Sequence, residues 1–227
     1  MNAFDVPHPT LAIAGAEERF PVRRIYCIGR NYADHVREMG NDPERTPPVF
    51  FTKPPDAVVE SGSSVPYPPR TADLHHEVEL VVAIGKAGTD VAAEAAGECV
   101  FGYAVGLDLT RRDLQKAAKS AGTPWDAAKG FDGSAPVSRI HRVADVGHPV
   151  AGRIWLEVNG DMRQQGDLNE LIWSVPESIA ELSTLFALAP GDLIFTGTPS
   201  GVGALEPGDR IRAGIDGIDE IAIEIRE

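Results

Sequence analysis

The chain has 227 residues, 43% hydrophobic and 24% charged, with a formal net charge of −13. That length supports one sizeable core, and the acidic balance argues against a nucleic-acid partner, because phosphate binding needs a basic face. Two cysteines are too few for a disulfide framework or a thiolate metal site.

Residues 1–20, with Pro7, Pro9 and Gly15, read as a short N-terminal arm, and residues 21–227 as a single domain. The arm has no basic start followed by a long apolar core, so no signal peptide is expected. No apolar run approaches the ~20 residues of a membrane span, and a cytoplasmic enzyme is the expectation. RIYCIG is the first strong strand, with Cys27 as a buried free thiol. NYADHVREMG reads as a short helix capped by Asn31 and ended by Gly40. His35 and Glu38 lie at i and i+3 on it, so their side chains are neighbours. A carboxylate beside an imidazole fixes the ring and prepares it to take a proton from water. Taken alone, such a pair is more often a surface ion pair.

PVFFTK and DAVVE are further strands, and EVELVVAI follows. Strand side chains alternate faces, so Glu77 and Glu79 project side by side. The neighbouring Val78, Leu80, Val81 and Val82 imply burial, where unpaired carboxylates are costly. Two carboxylates this close repel unless a cation or a proton lies between them. Asp108, at the end of FGYAVGLDL, can supply a third oxygen from a neighbouring strand. Three carboxylates without a thiolate describe a hard divalent-ion site, Mg²⁺ first and Mn²⁺ as the alternative, with positions left open for substrate. His75 shares that face as a ligand or as a partner of one, and as a ligand it would admit Zn²⁺ or Fe²⁺. The alternative is a solvated strand face carrying a chance pair of glutamates.

TRRDLQKAAKS places Arg112 and Gln115 three apart on a helix, and Arg112 can clamp a carboxylate bidentately. Lys129, in WDAAKGFDG, can stabilise a developing enolate beside the ion. Each is otherwise a solvated surface group. Asn159-Gly160 between IWLEV and MRQQG is a hairpin signal. Ser174-Val175-Pro176-Glu177 opens a helix with a capping box and an early proline. DLIF leads into Thr196-Gly197-Thr198-Pro199-Ser200-Gly201. This is no phosphate loop, which needs Gly-Lys-Ser/Thr opening a helix, but such a turn lets backbone approach a small ligand. No Gly-x-Ser-x-Gly elbow supports serine-hydrolase chemistry. Most strands, through DRIRAGI and EIAIEI, succeed one another without an intervening helix. The expected fold class is therefore α+β, mainly β, with rolled or sandwiched sheets.

The segments IYCIGRNYADHVREMG, FFTKP, LHHEVELVVAIGK, GYAVGLDLTRRDLQ, PWDAAKGFDGSAPVS and GDLIFTGTPSGVG closely resemble the fumarylacetoacetate hydrolase family, in that order over about residues 24–203. The likeness is strongest to its short acylpyruvate and fumarylpyruvate hydrolases. The resemblance implies the mixed β-sandwich roll of that family's C-terminal domain, a homodimer, and a small 2,4-dioxo acid as substrate. It implies Glu77, Glu79 and Asp108 as ligands of Mg²⁺ or Mn²⁺, and His35 with Glu38 as a water-activating dyad. Lys129 is implied beside the ion, and Arg112, Gln115 and Thr198 at the pyruvate end. The implied reaction is hydrolytic C–C cleavage, fumarylpyruvate giving fumarate and pyruvate. Oxaloacetate decarboxylation and dioxo-acid isomerisation are neighbouring activities, and a non-catalytic oxalate- or pyruvate-binding protein is the alternative of a different class. For a second carboxylate at the substrate's far end, Arg30, Lys53, Arg111 and Lys116 are candidate partners.

Overall fold

The computed structural model describes residues 3–38 and 47–227; the expected helix end at Gly40 lies outside the described residues. Strand Val78–Ile84 pairs antiparallel with Val100–Leu107 on one side and with Asp192–Phe195 on the other. These three form the middle of an eight-stranded mixed sheet. Asp192–Phe195 runs parallel to Arg24–Gly29, which carries Val49–Lys53 at the edge. Ala135–Val137 and Val58–Glu60 extend the other side as a parallel pair.

Side-chain alternation decides how this sheet packs. Val78, Leu80, Val82 and Ile84 enter a core shared with Ile154, Leu156, Ile211, Ile221 and Ile223. Those residues come from a five-stranded sheet built around Arg153–Val158, Arg210–Ile215 and Asp219–Arg226. Val81 and Ala83 face the opposite way, into a second cluster with Leu11, Phe20, Val22 and Phe195. Both faces of the strand are covered, which is why its sequence is apolar almost throughout rather than alternating. The fold is α+β and mainly β, with a curled sheet.

Thr10–Ala12 pairs with Arg19–Pro21, and Leu11, Ile13 and Phe20 are buried. The boundary drawn at residue 20 thus falls inside a hairpin that closes one face of the core. Arg153–Val158 and Asp161–Asp167 are joined by Asn159 and Gly160, with φ of 55° and 88°. Consecutive left-handed residues are what a two-residue hairpin turn requires. At the start of helix Val175–Leu185 the Glu177 carboxylate accepts from the Ser174 N–H (3.0 Å), as the capping box predicts, and also from the Ser174 hydroxyl (2.7 Å). Cys27 and Cys99 are free and buried. Among the described residues no helix is long and apolar enough to cross a membrane.

Candidate metal centre

Glu79 shares the strand face of Val81 and Ala83, and Glu77 immediately precedes the strand. Asp108 follows Leu107 on the neighbouring strand, and its N–H donates to the Glu77 carbonyl at 2.8 Å. The three side chains are buried, and each offers a carboxylate oxygen within 4.8 Å of the others.

Three cations face these three acids. Lys129 Nζ donates to Glu77 Oε2 (2.8 Å), Asp108 Oδ2 (2.6 Å) and Thr110 Oγ1 (2.6 Å). Lys53 Nζ lies 2.8 Å from Asp108 Oδ1 and also donates to the carbonyls of Leu109 (3.2 Å) and Lys129. Arg112 pairs with Glu77 Oε1. Burial alone would raise the Glu77 carboxyl, but Lys129 and Arg112 hold it well below the usual carboxylate range. Burial likewise opposes the Lys129 ammonium, yet Asp108 and Glu77 raise its pKa and keep it charged.

Glu79 is the exception. Among the described residues it touches no cation, and its one hydrogen bond comes from the Gly197 N–H at 2.7 Å. Burial, followed by the charges of Asp108 and Glu77, pushes its carboxyl well above the ordinary range. A buried carboxylate in that position calls for a positive charge. A hard divalent ion fits the three oxygen donors, and among the described residues no cysteine joins the cluster to favour a softer one. His75 does not join them. Its Nδ1 accepts from Arg112 Nε at 3.3 Å and its Nε2 pairs with Asp73 at 2.8 Å, so it holds Arg112 in place.

His35 Nδ1 sits 3.3 Å from Glu38 Oε2, and the Glu38 carboxylate accepts from the Gly201 N–H at 3.1 and 3.2 Å. Burial lowers the His35 pKa, outweighing the pull of Glu77 and Glu38, so the ring is neutral near neutral pH. The turn after Asp192–Phe195 organises both halves of the site. Gly197 has φ of 98°, and a Cβ there would lie 2.7 Å from the Asn31 Cβ. Glycine alone therefore lets this N–H reach Glu79. Asn31 does not serve as the expected helix cap. Its amide donates to the carbonyls of Thr196 (2.7 Å) and Trp173 (3.0 Å) and accepts from the Trp173 N–H (2.7 Å), tying the turn to a distant loop.

Arg112 donates from Nη1 to Gln115 Oε1 (2.6 Å), from Nη2 to Glu77 and from Nε to His75. Three of its five N–H groups are engaged and two remain for a ligand. All three Lys129 protons are engaged, so that residue is a fixed charge rather than a mobile donor. Thr198 Oγ1 accepts from Gln164 Nε2 at 2.8 Å, which leaves its own hydroxyl proton to donate. Eight of the nine residues singled out from the sequence line one cavity, and Glu38 reaches it through His35.

Sequence reasoning missed three contributors. Lys53 appeared only as a partner for the far end of the substrate, whereas it is buried against Asp108. Gln164 is fully buried; it bonds to Thr198 and to the carbonyl of Pro199 (2.9 Å), and its Oε1 accepts from the Val78 N–H (3.1 Å). No local pattern marks either residue. Lys119 also lines the cavity, and it did carry a signal, since Arg112, Gln115 and Lys119 follow helical i, i+3, i+7 spacing.

A family model described as Fumarylacetoacetate (FAA) hydrolase C-terminal matches residues 24–226. A fumarylpyruvate hydrolase from a Ralstonia species is 49% identical over 176 residues, covering 78% of this chain and 91% of that protein. The mitochondrial oxaloacetate tautomerase FAHD1 of Mus musculus is 45% identical over 204 residues, covering 90% and 92%. The crystal structure of fumarylpyruvate hydrolase from Pseudomonas aeruginosa in complex with Mn²⁺ and pyruvate has a TM-score of 0.97 and 51% identity, covering 100% of this chain and 99% of that one.

Proposed function

The chain belongs to the fumarylacetoacetate hydrolase family, and from that premise we propose that it hydrolyses acylpyruvates, with fumarylpyruvate as substrate and Mg²⁺ or Mn²⁺ as cofactor. The observation that carries this reading is the uncompensated Glu79 beside Glu77 and Asp108, in the same cavity as a neutral His35. The relative from Pseudomonas aeruginosa, with Mn²⁺ and pyruvate bound, supports it.

Glu77, Glu79 and Asp108 would hold the ion, which when bound would supply positive charge for the pyruvate end of the substrate and for a developing enolate. Lys53, Lys129 and Arg112 already equal the three acids in number, although they pair with Glu77 and Asp108 and none of them with Glu79. A divalent ion therefore leaves a surplus of two positive charges, matching a pyruvate enolate with its carboxylate. The spare N–H groups of Arg112 and the Thr198 hydroxyl orient the pyruvate end. Neutral His35 takes a proton from the water that attacks the C4 carbonyl. Glu38, held by Gly201, keeps the Nδ1–H tautomer so that Nε2 presents its lone pair. The C3–C4 bond then breaks, its electron pair passing into pyruvate enolate, and the proton held by His35 goes to C3. Water and fumarylpyruvate are thereby converted to fumarate and pyruvate.

With fumarylpyruvate and Mg²⁺ or Mn²⁺, the dioxo-acid absorbance should fall as pyruvate is released, and EDTA should stop it. Retained oxalate binding without turnover of any acylpyruvate would instead make this a binding protein. The pH profile provides a second check. Because burial lowers the His35 pKa, the acid limb of kcat/KM should lie below pH 6.5, the ordinary value for histidine. Glu38 works to raise that pKa, so Glu38→Gln should move the limb further down and cut kcat roughly 10- to 100-fold. A limb unmoved by the substitution would dissociate Glu38 from His35.

A further inference from the structure

Two cations near the outer part of the cavity have no acidic partner among the described residues. Arg30 and Lys119 both line it, and neither forms an ion pair or hydrogen bond there. The other basic residues considered for the substrate's far end are committed elsewhere. Lys53 is held by Asp108, Arg111 donates to the Ala127 carbonyl at 3.0 Å and stacks 4.5 Å from the Phe131 centroid, and Lys116 is exposed, 3.7 Å from Asp73.

Lys119 shares a helix face with Arg112 and Gln115, which stand at the pyruvate end. Seven residues at ~1.5 Å rise place it about 10 Å further along the axis, on the lining of the same cavity. Its ammonium lies 5.1 Å from the Trp125 ring centroid, and Trp125 packs 5.8 Å from Phe51, so flat apolar walls flank the approach. Half-burial lowers its pKa to about 8, Arg112, Arg30 and Lys129 push the same way, and Glu77 opposes them. An ammonium so placed gains from an arriving anion.

We propose that Lys119, together with Arg30, receives the distal carboxylate of the substrate and so selects dioxo diacids over acyl chains that end in a methyl group. The proposal rests on the acylpyruvate reading of the inner site. Its test uses binding rather than turnover, so that the two can fail separately. Calorimetry on the Mn²⁺-loaded protein compares 2-oxoheptanedioate, which has fumarylpyruvate's chain length and both carboxylates, with 2-oxoheptanoate, which lacks the second. The wild type should prefer the diacid by about 30-fold, as expected for a hydrogen-bonded charge pair. Lys119→Met should reduce that preference to within about 3-fold, whereas Lys119→Arg, which keeps the charge, should retain most of it. Equal affinities in the wild type would overturn the assignment. So would a diacid preference that survives intact in both Lys119→Met and Arg30→Gln. If acylpyruvates are not cleaved but the preference behaves as stated, the hydrolase reading falls and the distal subsite stands.

Discussion

Glu79→Gln is expected to weaken Mn²⁺ binding by roughly 100-fold or more while making the metal-free protein more stable. The two effects have one cause. Glu79 is buried and touches no cation among the described residues, so in the absence of an ion the cost of burying its charge, or of taking up a proton to remove it, opposes folding. Gln keeps the acceptor oxygen for the Gly197 N–H but removes that charge. Relief of an uncompensated buried charge is on the order of 1–3 kcal/mol. The sign of the pH dependence follows from the same group. The folded-state pKa of Glu79 is raised above its ordinary value of 4.5, so above that pH the metal-free folded protein retains a proton that the unfolded chain has released. Its stability contribution is therefore lost as pH rises from 4.5 toward the folded-state value, and Glu79→Gln should remove this slope. Melting temperatures with and without EDTA, and a Mn²⁺ titration, measure both effects. A variant that melts lower in EDTA, or that keeps wild-type Mn²⁺ affinity, would refute the account of Glu79.

His35→Ala is expected to lower kcat for acylpyruvate hydrolysis by about 1,000-fold, within the range for loss of a general base, or ~4 kcal/mol of barrier. Mn²⁺ and oxalate should still bind, because the proposed ligands lie at the start of Val78–Ile84 and just past the end of Val100–Leu107 rather than on helix Ala33–Glu38. The variant also separates activities within the family. Decarboxylation of oxaloacetate needs the ion and a stabilised enolate but no attacking water, so it should survive the loss of His35. If hydrolysis persists at near wild-type rate, the water is activated by another group. Parallel loss of oxalate binding would instead show that the substitution has disturbed the metal centre.

How much was legible depended on the range of the interaction. Glu77 and Glu79 are two residues apart on a strand, and pleating alone puts them on one face. The same applies to the i, i+3 spacing of His35 with Glu38, the capping box at Ser174 and the Asn159-Gly160 turn. These signals are local, and the structure has each of them where the spacing puts it. Asn31 was misassigned as a cap because its real partners, Trp173 and Thr196, are 142 and 165 residues away. Arg112 reads as a free clamp in the sequence, but three of its N–H groups already hold Glu77, Gln115 and His75.

The chain's order of residues by itself determined the acidic pair, the contact of His35 with Glu38, the mainly β character and the family, since all of these rest on short spacings and on motifs in series. Only the tertiary structure decided how charge is shared. Among the described residues it set Lys53 against Asp108, gave Lys129 three acceptors, left Glu79 without a cation and left Arg30 and Lys119 without acids. Such pairings are made between strands and turns brought together from distant parts of the chain. Burial then turns each match or mismatch of charge into a large free-energy difference, because water no longer screens it.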